Sequence, residues 1–219
     1  MAYSVIRGAS RRYTYFRFKS DLTLEVVLPR GREVDPEAAV RENLPWITRE
    51  YERIAASRRI LSSEQVMYGG TYLRIVYTPD NTDALVPDLQ AGEVLVRASE
   101  RSRIKELIRR WFLKETSAYV VSRVAESAPL VGAKPSRVDV REINKWGYCT
   151  RNGRLSFSWQ LVALPERLRE YVVFHELTHL LEFSHSPAFK RRLSSVCPDF
   201  RQRERELDEV VPYDRMTVM

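Results

Sequence analysis

The three histidines of the chain, His175, His179 and His185, lie between positions 175 and 185 of a 219-residue sequence. Three histidines scattered at random would cluster so tightly on the order of once in a hundred sequences. His175 and His179 are four residues apart, so on a helix their imidazoles leave the same face one turn apart. Serines and a proline around His185 end such a helix. The spacing therefore predicts a helix, a reversal and three converging imidazoles.

Three neutral imidazoles bind zinc and leave one tetrahedral position open, as catalytic sites do. Zinc lowers the pKa of a coordinated water from 15.7 to about 7. Glu176, beside His175 in the motif HELTH, is placed to take the remaining proton as general base. The simpler interpretation is a half-buried histidine pair with Glu176 as a surface acid. Glu182 is an alternative third ligand to His185. We expect one bound zinc ion.

The remaining elements are predicted from hydrophobic periodicity. The first half indicates a hairpin from residues 13–18 and 22–28, a helix that opens at Asp35 and is divided near Pro45, and strands at 71–77 and 93–97. The second half indicates a long helix at 99–127, a strand at 138–143, a hairpin around residues 152–153 and a helix at 165–183.

Several short motifs occur together in the second half. A Trp-Gly hairpin is followed by Leu-Pro, by Tyr-Val-Val before HELTH, by His-Ser-Pro-x-Phe and by Cys-Pro-Asp. Residues 145–200, which contain them, resemble the core of the YgjP-like zinc metallopeptidases, relatives of the SprT, Spartan and yeast Wss-type proteases. The early hairpin and a Pro-Trp-Ile at 45–47 extend the resemblance over nearly the whole chain.

By position, the resemblance implies that His175, His179 and His185 are zinc ligands and that Glu176 is the catalytic acid/base. The sequence departs from the family pattern at Lys145, where arginine is usual, and at Tyr148, where serine is usual.

We expect an α+β fold with two parts. Residues 98–219 are predicted to form a zincin-like core, made of a long helix, a three-stranded sheet, the HExxH helix and a closing helix. Residues 1–97 are predicted to form a strand-rich α/β layer packed against that core.

The expected function is zinc-dependent hydrolysis of peptide bonds in a protein or peptide substrate. One alternative keeps the zinc and cleaves phosphoanhydride bonds of nucleotides. The other is a nucleic-acid-binding module whose metal site is vestigial. Assays of both substrate classes on one preparation distinguish the first two, and tight DNA binding without turnover indicates the third.

The net charge of +7 lies mostly in the second half, where residues 98–219 carry +6. Basic and aromatic residues alternate in the hairpin, which suggests contacts to a substrate or to non-specific DNA. The simpler interpretation is a solvated hairpin surface with a core tryptophan, although Tyr148 is also a candidate oxyanion stabiliser. The segment RQRERELDE alternates in sign and predicts an exposed helix. The candidate contact residues are Lys145, Trp146, Tyr148, Arg151 and Arg154.

The location of the chain is inferred from what the sequence lacks. No apolar run reaches the roughly 18 residues of a membrane span, and the first residues contain no apolar stretch of signal-peptide length. Cys149 and Cys197 are far apart without a CxxC spacing, which fits reduced thiols. We therefore expect a cytoplasmic protein without membrane partners, and the sequence specifies no oligomeric state.

Overall fold

The computed structural model describes residues 3–9, 13–18, 23–30, 33–60, 64–143 and 145–210. Within these ranges the chain forms six α-helices and three small sheets, each mixing parallel with antiparallel pairing, so the predicted α+β class is confirmed. Two compact units are present, one comprising Ser63–Pro212 and the other Met1–Ser62 with Tyr213–Met219. A domain boundary at residues 97 and 98 stays a prediction.

The smaller unit contains a three-stranded sheet and two helices. Strand β3 is central, parallel to β1 and antiparallel to β2, so the predicted hairpin is present; its turn, residues 19–21, lies outside the described residues. Asp35 caps α1, because its carboxylate accepts hydrogen bonds from the backbone amides of Glu37 and Ala38. The helical segment divides at Asn43, just before Pro45. The elements are β1 (Tyr3–Ala9), β2 (Tyr15–Phe18), β3 (Leu24–Pro29), α1 (Pro36–Glu42) and α2 (Leu44–Ile60).

The larger unit begins with a four-stranded sheet in the order β4-β5-β7-β6. The sequence predicted two of its strands, and β4 and β6 were not foreseen. Strands β5 and β7 pair in parallel at the centre, and the other two strands pair antiparallel at the edges. The strands are β4 (Gln65–Tyr68), β5 (Thr71–Pro79), β6 (Ala84–Asp88) and β7 (Glu93–Ala98).

A glycine turn between β4 and β5 contacts the segment that precedes the histidine-bearing helix. The amides of Gly69 and Gly70 donate to the carbonyls of Val162 and Ala163, both at 2.8 Å. A Cβ on Gly70 would lie 2.6 Å from Pro165 Cγ, and the φ of Gly70 is +85°. Only glycine fits this position without displacing Pro165, because both the close contact and the positive φ exclude a side chain.

The rest of the larger unit consists of four helices and a three-stranded sheet. The long helix α3 runs to Val131, beyond the predicted end, and stops at Gly132 in the left-handed conformation. The sheet has the order β8-β10-β9, with β8 parallel and β9 antiparallel to β10. The elements are α3 (Ile104–Val131), β8 (Arg137–Arg141), β9 (Gly147–Cys149), β10 (Arg154–Ser158), α4 (Glu166–His179), α5 (Pro187–Val196) and α6 (Phe200–Asp208).

The main core lies between α3, β10 and α4. Leu155 and Phe157 point from β10 into it and are fully buried, and Val124 of α3 and Leu177 of α4 pack in the same cluster. This packing fixes the orientation of α4, on which the histidines stand. Among the described residues, no helix has both the length and the apolar character needed to cross a bilayer.

Two valines one turn apart on α3 test this packing. Val124 is 3% exposed and Val121 is 62% exposed. Val124→Ala should lower the free energy of unfolding by about 1.5–3 kcal/mol, because it removes buried methyl groups and leaves a cavity. Val121→Ala, the control, should change it by less than about 0.5 kcal/mol. Chemical denaturation measures both, and equal losses would contradict the packing described.

Candidate metal centre

The three histidines meet at the end of α4. Their Nε2 atoms lie 3.1–3.2 Å from one another. His175 and His179 come from the last turns of α4, and His185 comes from the loop before α5. The structure thus brings together the three histidines that the spacing predicted.

The donor set fits one zinc ion. With Zn–N bonds of about 2.0–2.1 Å, tetrahedral coordination places two ligand nitrogens about 3.3–3.4 Å apart, close to the observed separations. Burial, and then the neighbouring histidines, lower the pKa of His175 to about 3. Burial also lowers the pKa of His179. Neutral nitrogens whose lone pairs converge repel one another unless a cation lies between them, so the cluster has the chemistry of a metal site.

Second contacts orient two of the imidazoles. The Nδ1–H of His179 donates to the carbonyl oxygen of Glu182 at 3.0 Å, which leaves its Nε2 free as a ligand. Nδ1 of His175 lies 3.3 Å from the hydroxyl of Tyr171, one helical turn earlier. Burial raises the pKa of Tyr171, and the carboxylates of Glu204 and other nearby acids raise it further.

Phe189 forms an apolar wall for the cluster. Its ring centroid lies 4.6–5.1 Å from those of the three imidazoles. Ser186 caps the helix that carries it, because its hydroxyl accepts a hydrogen bond from the Phe189 amide at 3.2 Å. No sequence motif predicted a role for Phe189 or Tyr171 at the metal centre. The spacing of four residues from Tyr171 to His175 was the available signal for the tyrosine.

Helix α4 is shorter than the sequence predicted, and this change separates Glu182 from the cluster. The helix ends at His179, four residues before the predicted end at position 183. Glu182 therefore lies in the loop, where its carbonyl binds His179 and its carboxylate lies 3.5 Å from Arg192 Nε. Its carboxylate is not among the metal-binding atoms that converge in the described residues.

Glu176 is buried beside the histidines, with a relative exposure of 6%. Burial raises the pKa of its carboxyl group to about 8, and nearby Lys145 opposes that shift. Its Oε2 has no hydrogen-bond partner among the described residues. Gly147 of β9 lies directly against it: a Cβ there would be 2.7 Å from Glu176 Cγ. No sequence pattern predicts this contact, because it joins two segments distant in sequence.

The five candidate contact residues of the hairpin lie in different surroundings. Trp146 lines a pocket together with His175 and Glu176. Lys145 and Tyr148 line a second pocket with Glu142 and Ile143.

The two arginines of the hairpin differ in their partners. The Arg151 guanidinium lies 5.9 Å from the Phe183 ring centroid. Arg154 is bound to Asp139, with its Nε 2.6 Å from the carboxylate. Although burial raises the pKa of Asp139, hydrogen bonds from Ser156, Arg154 and Arg141 lower it overall. Arg154 is therefore part of an internal ion pair, and DNA binding by this hairpin stays a prediction.

Cys149 is half-buried near Glu176. Burial raises the pKa of its thiol to about 11, and the charge of Glu176 adds to that effect. The side chain is thus a neutral thiol near pH 7, which is unsuited to nucleophilic attack. Both cysteines are unpaired.

Comparisons with known proteins gave one family and one structural neighbour. Residues 12–210 match the family model described as YgjP-like, metallopeptidase domain. The chain is similar to the crystal structure of the metallopeptidase zymogen of Pyrococcus abyssi abylysin, with 18% identity and a TM-score of 0.38, over 46% of this chain and 99% of that one. No curated protein matched. Family membership therefore depends on the first comparison.

Replacing His185 tests the ligand set. His185→Ala should lower zinc affinity by orders of magnitude, because it removes one of three ligands and leaves α4 intact. Glu182→Gln is the matched control, and it should retain zinc because the carbonyl that binds His179 is unchanged. Metal analysis after dialysis against a competing chelator measures both. Loss of zinc only in the Glu182 variant would reverse the assignment.

Proposed function

Because the chain belongs to the YgjP-like metallopeptidase family, we propose that it hydrolyses peptide bonds with one zinc ion and with Glu176 as general base. The observation that carries the proposal is the position of the buried Glu176 carboxylate in the same pocket as His175, one of three histidines whose Nε2 atoms converge. A ligand cluster and a separate proton acceptor are the two parts that this chemistry needs.

In this proposal the three imidazoles hold the metal. The contacts from His179 to Glu182 and from His175 to Tyr171 fix the ring orientations. The bound zinc supplies a Lewis acid that activates water at neutral pH and polarises the scissile carbonyl.

Glu176 moves the proton. Its unpartnered Oε2 can accept a proton from the attacking water and then donate it to the leaving amine nitrogen. A carboxyl pKa raised by burial brings the group toward the operating pH, where transfer in both directions is efficient. Removing the proton from the reacting water and returning it to the amine leaves the carboxylate as it began.

Strand β9 is a suitable place for the peptide. Among the described strands it lies at the edge of the sheet, next to β10 in the order β8-β10-β9, and its Gly147 contacts Glu176. An extended peptide that adds to this edge would lie beside the general base.

We propose that residues 98–219 contain a zincin-like catalytic core, in which the three histidines, Glu176 and the edge strand β9 lie together.

The alternative, hydrolysis of nucleotide phosphoanhydrides, is less well supported. The pocket that contains His175 and Glu176 is also lined by the carboxylates of Glu204 and Asp208. Negative groups at this position repel a polyphosphate and do not oppose a peptide. Digestion of an unbiased peptide library, run beside a nucleoside triphosphate assay on the same zinc-loaded preparation, tests the choice directly.

Replacing Glu176 separates metal binding from chemistry. Glu176→Gln keeps the shape of the side chain but cannot accept the proton, so hydrolysis should fall roughly 100-fold or more while zinc content and melting temperature stay near wild type. Peptide turnover and metal analysis measure the two effects. Wild-type turnover would exclude Glu176 as base, and loss of zinc would make it a ligand.

Gly147→Ala tests the close contact with β9. The added Cβ would lie 2.7 Å from Glu176 Cγ and 2.9 Å from Oε1, so it should displace the carboxylate and lower kcat roughly 10- to 100-fold with zinc retained. In the Glu176→Gln background the same substitution should cause little further loss, because no base remains to displace. A further 10- to 100-fold loss of kcat in that background would show that Gly147 affects turnover independently of Glu176.

A further inference from the structure

A pocket of about 210 Å³ adjoins the metal centre and is bounded by β9, α4 and α6. His175 and Glu176 lie on one side, and Trp146, Val172 and Leu207 provide apolar wall. Glu176 is more than nine-tenths buried, and its unpartnered Oε2 makes this the side where the proton transfer of the proposed reaction takes place. A substrate side chain in this pocket would therefore belong to a residue next to the scissile bond.

The part of the pocket that α6 contributes is acidic. Glu204 and Asp208 stand four residues apart on α6, which places them on the same face of the helix, and both line the pocket. Both are exposed, so they lie toward its open side. The chain carries a net positive charge, yet the described residues that line this pocket include no lysine or arginine.

Ion pairs between α6 and α4 involve Arg203 and Glu206 of α6. Arg203 Nη1 lies 2.7 Å from the carboxylate of Glu170 of α4 and 2.9 Å from the carbonyl oxygen of Arg167. Glu206 pairs with Arg167. Residues 203 and 206 of this helix are thus paired with residues of α4, whereas Glu204 forms no ion pair among the described residues. Its charge remains available to a ligand.

A lysine or arginine side chain matches this arrangement. Both have an aliphatic stem that packs on apolar surface and a cationic end that stays close to water. The stem would lie between Trp146 and Leu207, and the cationic end would reach Glu204. Lys145, whose charge opposes the rise in the pKa of Glu176, lines the other pocket and not this one.

We propose that this pocket binds a lysine or arginine side chain adjacent to the scissile bond, and that Glu204 determines this specificity. The inference deepens the proposed peptidase function and rests on it. It assigns the enzyme to basic peptide segments as its substrate class.

The test uses peptides from the library digest that differ only at the position next to the cleaved bond, with arginine, norleucine or glutamate. Wild type should prefer arginine to norleucine in kcat/KM. Glu204→Gln should reduce this ratio roughly two- to fivefold, the scale of one partly exposed ion pair, and Glu204→Lys should reduce it further and improve the glutamate peptide. Cleavage of the norleucine peptide should change less than about twofold.

Two controls separate specificity from general damage. Glu209→Gln removes one carboxylate from the end of the same segment, outside the pocket, and should leave the ratio unchanged. The arginine preference should also decline as salt increases, because the contact is partly exposed. A wild-type enzyme without preference for a basic residue, or a preference that survives Glu204→Lys, would overturn the inference.

A binding measurement distinguishes failure of the inference from failure of the proposed function. The Glu176→Gln variant should bind the arginine peptide more tightly than the norleucine peptide, and Glu176→Gln/Glu204→Lys should lose that difference. Selective binding without cleavage by the zinc-loaded wild type would refute the peptidase function and retain the pocket. Cleavage without selective binding would refute the pocket alone.

Discussion

The larger unit is organised around the requirement that three imidazole nitrogens approach within 3.2 Å of one another. A helix can supply two of them by its own periodicity, but the third requires the helix to end at once and the chain to return. Helix α4 ends at His179 itself, and the carbonyl of Glu182 in the reversal binds the imidazole of that last residue. The same loop therefore delivers His185 and orients His179.

The features that the sequence predicted are local, and the contacts that it missed join segments distant in sequence. The pairing of His175 with His179 follows from helix periodicity. The hairpin of β9 and β10 follows from the Asn-Gly turn at residues 152–153. Strand β6 was missed because its sequence, ALVPD, is half exposed and contains a proline, which marks an edge strand weakly. The contact of Gly147 with Glu176 joins β9 to α4, and no pattern within either segment contains that information. The overlong prediction for α4 arose because Leu180 continues the apolar spacing after the last helical turn.

The net positive charge of the second half of the chain does not predict the charge of the pocket next to the metal centre. The second half of the chain carries most of the positive charge, but Arg154 and Arg141 both bind Asp139, and Arg203 binds Glu170. Cations paired in this way hold β8, β10, α4 and α6 together and contribute little to a field that attracts polyanions. The pocket next to the metal centre is lined by Glu204 and Asp208 and, among the described residues, by no lysine or arginine, so it is acidic in a basic protein.

The glycine turn between β4 and β5 has a consequence for how the chain folds. Its two amides bind carbonyls at Val162 and Ala163, about ninety residues further along, so the contact closes a long loop. During synthesis the four-stranded sheet emerges well before the segment that it must contact. Helix α4 follows that segment directly, so this contact adds to the large sequence separation between contacting residues, which slows folding of the unit that carries the histidine cluster.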